Sequence, residues 1–415
     1  MLLQNFEEAL ASEPVGRALL ARAGVPTSDM EALLSSGFFA IGQDILPTDL
    51  ELLLMNAEPI DLMHPSFDAS KYRRYAQPID VNIAIVDRHT GAIFRPAQLN
   101  PAAAFGVSGD TIDLSYLGLN TAAIGRSRFR EFPYYVAKSV DTLAGLCESL
   151  RTHMAGSGFE ILFRGQTKEH LVRRAPQVLE FLYGTASVRE PSLPSNAFRN
   201  RFNYAAAEPY VRLILRDIVY RRNRRENRKH WVEDRFEQLN LLSHGHELSQ
   251  ALDDVMGIGQ HYGIPTYGID ATSSWETAFW FATHKFASEN GKASFSEHRW
   301  EVGDSGTWPV VYVLRTRNAL DLSLMSFPSI RAKAQNAFFL PGSWGLHGNV
   351  AANDIICAIQ LHPAAGVDPH EVSEIFPMPS SDFMYRELLE AKQRTLSASL
   401  SATIGLDQVF DLTYA

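Results

Sequence analysis

Cysteine is scarce in this chain. There are two in 415 residues, Cys147 and Cys357. Both fall in apolar-periodic segments, so they read as buried free thiols and not as a bridge. No cluster has zinc-ligand spacing, and no metal site is expected. The HGHE of His244–Glu247 is not the HExxH of a zinc peptidase. The G-x-S-x-G elbow of a serine hydrolase, the phosphate loop and the dinucleotide-fold fingerprint are all missing. Long apolar runs are missing too. No window approaches about 18 consecutive apolar residues, so no membrane span is expected. MLLQNFEEALASE carries acids where a signal peptide needs a basic region, and a cytoplasmic location is the expectation. A net charge of -9 argues against nucleic-acid binding over the whole surface. The exception is the arginine-rich run Arg221 to Lys229. It is either a solvated helix face or a patch for a phosphate-bearing partner, nucleic acid included.

What is present suits a globular core. Hydrophobic residues make up 46% and charged residues 20%, and the length allows two or three domains. Residues 1 to about 55 read as helices, LLARAG ending on Gly24 as a C-cap. VNIAIV, DRHTG and AIFRPA read as strand, turn and strand, and TIDLSYLG as a further strand. YVAKSVDTLAGLCESL places Val136, Val140, Leu143, Cys147 and Leu150 at helical spacing. FEILFRGQT is a short apolar strand, and residues 172 to 200 are loop-rich. YVRLILRDIVY and FMYRELLEAKQRTL read as helices. WPVVYVLRT, NAFFLPG and DIICAIQLHP read as strands. The fold class expected is α+β.

The densest signal is GQHYGIPTYGIDATSSWETAFWFATH, from Gly259 to His284. Gly263 and Gly268 bracket a turn in which Pro265 extends Ile264. Ser273 followed by Glu276 fits a capping box. The helix after it, expected from Trp275 to Phe286, sets Trp275, Ala278, Phe279 and Ala282 on one core face. Elsewhere, ILFRGQT ends a buried strand on Arg164, which is costly unless paired or functional. Gln335 directly precedes an apolar strand, with Arg331 four residues earlier. His347, in SWGLHGNV, is either an acid–base group or a turn histidine.

These segments carry a resemblance. Phe163-Arg164-Gly165, followed by Gln166, resembles the signature of the FRG domain. EPSLPSNAFR resembles that family's P-S-L region. Residues 260 to 272, QHYGIPTYGIDAT, resemble its motif Q-H-Y-G-x-P-T-R-L-L-D-W-T. WETAFWFAT resembles its following helix, and Gln335 with Phe338 its Q-x-G-x-F segment. The chain departs at Tyr267, Gly268 and Ala271, where Arg, Leu and Trp are usual, and at Asn336, where Gly is usual. The family is widespread in bacteria and phage.

Its order of elements is similar to that of ADP-ribosyltransferases, which implies a mixed-sheet core and NAD as a substrate. By that analogy Arg164, Thr272 or Ser273, and Gln335 converge on NAD. Arg164 would hold the pyrophosphate, Tyr262 or Tyr267 would stack on the nicotinamide, and Gln335 would bond a ribose hydroxyl. Gln335 is no base, so Asp270 is the candidate acid. Gln166, His261 and Thr266 complete the expected ligand-binding set. The implied role is a toxin-like or phage-defence effector acting on a target that the sequence does not identify. The alternatives are a non-catalytic ligand- or protein-recognition module, and a structural network in which Arg164 pairs with Asp270. NIAIVDRHTGAIFRP and the helix after it are similar to the end of a SUKH-superfamily domain. The division expected is an N-terminal α+β domain at 1–130 and an FRG domain at 131–415.

Overall fold

The computed structural model describes residues 13–22, 27–42, 83–90, 93–94, 120–128, 130–154, 158–199, 256–323, 329–342, 348–394, 401–402 and 404–414, with eight helical residues between 207 and 218. Gly24, residues 111–118, Arg221 to Lys229, His244–Glu247 and His347 lie outside them. The fold is α+β.

Helices α1 (Glu13–Arg22) and α2 (Thr27–Ser35) lead into β1 (Phe38–Gly42). β1 runs antiparallel to β2 (Ile83–Asp87), which turns into β3 (Ile93–Phe94). The hairpin expected at DRHTG is present. The all-helical reading up to residue 55 is corrected by β1. Gly37, at φ 85, breaks the helical path, and FFAI is an aromatic and β-branched run suited to a strand.

The large sheet takes β4 (Ala123–Arg126), β5 (Glu131–Ala137), β6 (Glu160–Gln166) and β7 (Ile269–Thr272) from the first part of the chain. A separate hairpin, β8 (His284–Glu289) and β9 (Lys292–Glu297), follows. Then β10 (Val310–Thr316), β11 (Leu320–Asp321), β12 (Ala337–Leu340) and β13 (Ile355–Leu361) return to the large sheet. Its order is β11-β12-β7-β6-β10-β13-β5-β4. Every pairing is antiparallel except β13 with β5. β4 therefore belongs to the large sheet through β5. β14 (Asp411–Leu412) adds in parallel to β9.

VVYVLRT and IICAIQL are buried along their whole length, because layers cover both faces. One face carries α3 (Val140–Met154) and α6 (Trp275–Thr283). It buries Leu143, Leu150, Phe163, Phe279, Val311 and Ile359, with Cys147 and Cys357 as free thiols. The other face buries Leu162, Leu193, Ile269, Tyr312 and Phe338. Two helix limits are corrected. Val136 lies in β5, opposite Gln360, and α3 begins at Val140 after a Ser139 cap that accepts from the Thr142 amide at 3.1 Å. α6 ends at Thr283, where His284 turns extended and starts β8.

Further α-helices are α4 (Pro176–Tyr183), α5 (Asn196–Arg199), α7 (Ile330–Ala334), α8 (Val372–Ile375) and α9 (Phe383–Arg394). Arg174, just before α4, fastens β2 to it. Its guanidinium bonds Asp87 at 2.9 and 3.1 Å and Glu190 at 2.5 and 2.7 Å, fully buried. The Ala175 amide also donates to Ser36 Oγ at 2.8 Å.

Among the described residues, no helix is long and apolar enough to cross a membrane, and no group of three or more His, Cys, Asp or Glu side chains is placed to hold a metal.

Candidate functional site

Strand alternation divides the F-R-G triplet between two faces. Phe163 and Gly165 face α6. Phe163 is fully buried. At Gly165 a side chain would overlap the Ala278 carbonyl and crowd the Ala282 amide. The glycine thus lets the helix backbone rest on the strand. Arg164 and Gln166 face the other way, Arg164 beside Tyr312 and Gln166 beside Val310.

β6 and β7 pair at a single position, Phe163 with Thr272, and then part. Arg164 reaches across the split, and its Nη1 donates to the Asp270 carbonyl. Burial, reinforced by repulsion from Arg199 and offset in part by the Asp270 charge, holds the guanidinium down to about 10. Arg164 therefore remains a cation at neutral pH. Arg199, at the exposed end of α5, feels the same Asp270 charge. α5 is fixed there because the Ala197 amide donates to the Thr266 carbonyl at 3.0 Å.

A chain of polar contacts runs inward from Asp270, whose side chain is 39% exposed. His261 Nε2 lies 3.3 Å from Asp270 Oδ1. On the other side of the ring, His261 Nδ1 is 3.1 Å from Gln335 Oε1. Gln335 Nε2 donates to the Ile375 carbonyl at 3.1 Å. That bond fixes the amide, so Oε1 must accept from a protonated Nδ1. His261 Nε2 and Asp270 Oδ1 are both buried, and neither makes a hydrogen bond. The Thr272 hydroxyl closes the chain. It donates to the Gln335 carbonyl at 2.7 Å and accepts from the Ser274 amide at 3.0 Å.

Arg164, His261, Asp270, Thr272 and Gln335 therefore come together in these contacts, which take in none of Gln166, Tyr262, Thr266 and Tyr267. Arg164, Gln166, Asp270 and Ser273 are partly exposed, while His261, Thr266, Thr272 and Gln335 are buried. The Thr266 hydroxyl donates to Gln260. Tyr262 is buried under the Arg331 guanidinium, 4.5 Å from its ring, and its hydroxyl meets Asp382 at 2.8 and 3.0 Å and Ser329 at 3.1 Å. Tyr267 is buried edge-on against Phe339. The capping assignment is corrected by one residue. Ser274 caps α6, accepting from the Thr277 amide at 3.0 Å, and its own hydroxyl donates to Glu276 at 2.7 Å. Ser273 instead gives its amide to the Asn336 carbonyl and its carbonyl to Arg151.

Sequence reading passed over Arg199, Asp382, and the β8–β9 hairpin. For the hairpin a signal existed. Asn290-Gly291 joins the two strands, both residues at positive φ, as a tight hairpin turn requires.

Comparison with known proteins bears on this part of the chain. Residues 160–291 match the FRG domain family. Over these residues the chain is similar to the FRG domain, and they include the triplet Phe163-Arg164-Gly165. The match covers only β6 and β7 of the eight strands in the large sheet. No curated protein and no solved structure matches the chain.

The departures from the FRG motif are absorbed by packing. A side chain at Gly268 would overlap the Phe339 ring and the Leu340 carbonyl. Phe339 thus fills the space beside residue 268. Ala271 is buried opposite Phe338. Asn336 sits at φ 45, a left-handed conformation that glycine and asparagine share most readily. Gly263, at φ 101, lies against the Gln408 carbonyl, where a side chain would not fit.

Proposed function

We propose that the FRG domain takes NAD as a substrate and transfers its ADP-ribosyl group to a target. The observation that supports this most is the meeting of three separate segments. Arg164 from β6, Asp270 and Thr272 from β7, and Gln335 before β12 join in one network on neighbouring strands. NAD supplies a ribose carbon whose bond to the nicotinamide nitrogen breaks as a target nucleophile bonds to it, nicotinamide leaving as a neutral molecule.

The residues present suit such a ligand. Arg164 keeps a buried Nε–H without a partner. With Arg199 it brings two cations to one carboxylate, an excess of positive charge that favours a pyrophosphate. Asp270 is the exposed carboxylate of the network. It accepts the proton that the nucleophile loses. Gln335 and Thr272 hold these groups in place from within. An enzyme of this kind would act as a toxin-like or phage-defence effector.

A second reading draws on the same geometry. Thr272 and Gln335 are buried and fully used by internal bonds, as in a recognition module without turnover. Calorimetric titration of the full chain with NAD, with mass spectrometry of the protein and of treated cell extract, separates the two. The transferase reading expects binding and an ADP-ribosyl mass increment on a target. Binding without any increment supports the recognition module. A folded protein that binds no NAD sinks the proposal.

A further inference from the structure

The β8–β9 hairpin leaves its small sheet with an open edge. The strand order is β14-β9-β8, so β9 has a neighbour on each side, while β8, among the described residues, has one on a single side. Lys285 to Glu289 of β8 are all exposed. An uncovered edge is a template for another strand, and proteins commonly guard one with a lysine. Here the edge carries both signs of charge, and their spacing decides what it accepts.

The turn fixes which backbone groups point outward. Asn290 and Gly291, both at positive φ, form a two-residue turn between Glu289 and Lys292. In such a turn the flanking residues bond each other through the backbone, and the pairing alternates from there. Glu289, Ala287 and Lys285 therefore turn their N–H and C=O groups toward β9. Phe286 and Ser288 turn theirs to the open side. Side chains divide in the same way. Lys285, Ala287 and Glu289 share one face, and Phe286 and Ser288 share the other. Phe286 is 47% exposed, although its ring lies 5.3 Å from Phe295 and 5.7 Å from Phe410.

We infer that the β8 edge pairs with the β8 edge of a second copy of this chain, antiparallel about a two-fold axis at Ala287. In that register Phe286 faces Ser288 of the second copy. These are the residues whose backbone groups point outward, so each such pair exchanges both of its backbone bonds. On one face Lys285 of each copy meets Glu289 of the other, two opposite charges directly across the strands. On the other face the two Phe286 rings are diagonal neighbours within reach of each other, and each covers the other's exposed side. A shift by two residues, the next register in phase, sets Lys285 or Glu289 against Ala287 and loses both charge pairs. A cation and an anion four residues apart, with a small residue midway, match their own reverse. The lysine that guards the edge against other strands thus selects this one. Six residues a side is well below the roughly 20–30 of a standard interface, so the dimer is a reversible one, with a Kd on the order of 10 μM.

Sedimentation equilibrium of the full-length chain, from about 1 to about 200 μM, tests this. The wild type should pass from monomer to dimer. Lys285→Glu and Glu289→Lys should each weaken association about tenfold or more, because two attractive pairs become repulsive. An equimolar mixture of the two variants should dimerise again, since opposite charges then meet at both pairs. That recovery also shows that both variants fold. Ser288→Pro removes an outward N–H, which an edge strand tolerates, and should abolish the dimer. A wild type that stays monomeric throughout overturns the inference. A dimer indifferent to Lys285→Glu and Ser288→Pro uses another surface and overturns it too. So does a mixture of the two charge variants that stays monomeric.

Discussion

Gly165 of β6 lies directly beneath the carbonyl oxygen of Ala278 in α6. The obstacle to any side chain there is helix backbone, not a movable side chain. Gly165→Ala should therefore force α6 off the sheet, at a cost of about 3 kcal/mol or more. Urea denaturation measures it. A loss under about 0.5 kcal/mol would show that the close approach is not needed.

Arg164→Ala should act on two properties. Removing Nη1 leaves the Asp270 carbonyl unpaired at the β6–β7 split, costing about 1–3 kcal/mol. It should also abolish NAD binding in titration. Arg164→Lys keeps the charge but loses the planar fork, and should restore stability better than affinity. If both variants bind NAD like the wild type, the arginine has no role in recognition.

Asp270→Asn separates chemistry from folding. The side chain is partly exposed, so stability should change by less than about 1 kcal/mol. Transfer to a target should fall about 100-fold or more, the usual contribution of a general base. Binding of NAD should persist. Unchanged transfer rates in single-turnover assays would remove Asp270 from the reaction.

The clamp between the N-terminal strands and the FRG domain predicts a dependence on pH. Burial acts to raise the Asp87 pKa, but the charge and hydrogen bonds of Arg174 outweigh it and hold it below the usual value. Its contribution is complete above the unfolded pKa near 4. It is lost as acid carries the pH down through the folded value. Glu190 opposes this, since burial leaves its pKa raised. Asp87→Asn should cost about 3 kcal/mol at pH 7 and flatten the acid limb of the stability profile. Parallel acid limbs in the variant and the wild type would count against the clamp.

Much of the sheet was legible from runs of apolar residues. VVYVLRT, AFFL and IICAIQL are strands because residues buried on both faces lose their alternation. The FRG triplet was legible as a motif, yet the division of labour within it was not. Only the structure shows Gly165 under a helix and Arg164 across a split. Long-range partners were hidden for a physical reason. Periodicity reports which face of an element is buried, not what lies opposite. Asp87 and Arg174 are 87 residues apart, and Tyr262 and Asp382 are 120 apart. The cap moved from Ser273 to Ser274 because the Thr272 hydroxyl takes the Ser274 amide and delays the helix by one residue. Either serine satisfies the sequence rule, and only the hydroxyl network chooses between them.

Gly263 rests against the carbonyl of Gln408, and this has a consequence in time. The His-Tyr-Gly turn leaves the ribosome well before the segment that covers it. At ordinary rates of synthesis the interval is on the order of ten seconds. Throughout it the turn lacks its lid, and His261 stands next to an unfinished wall. The packing around Gly263 is thus complete only once translation has passed Gln408.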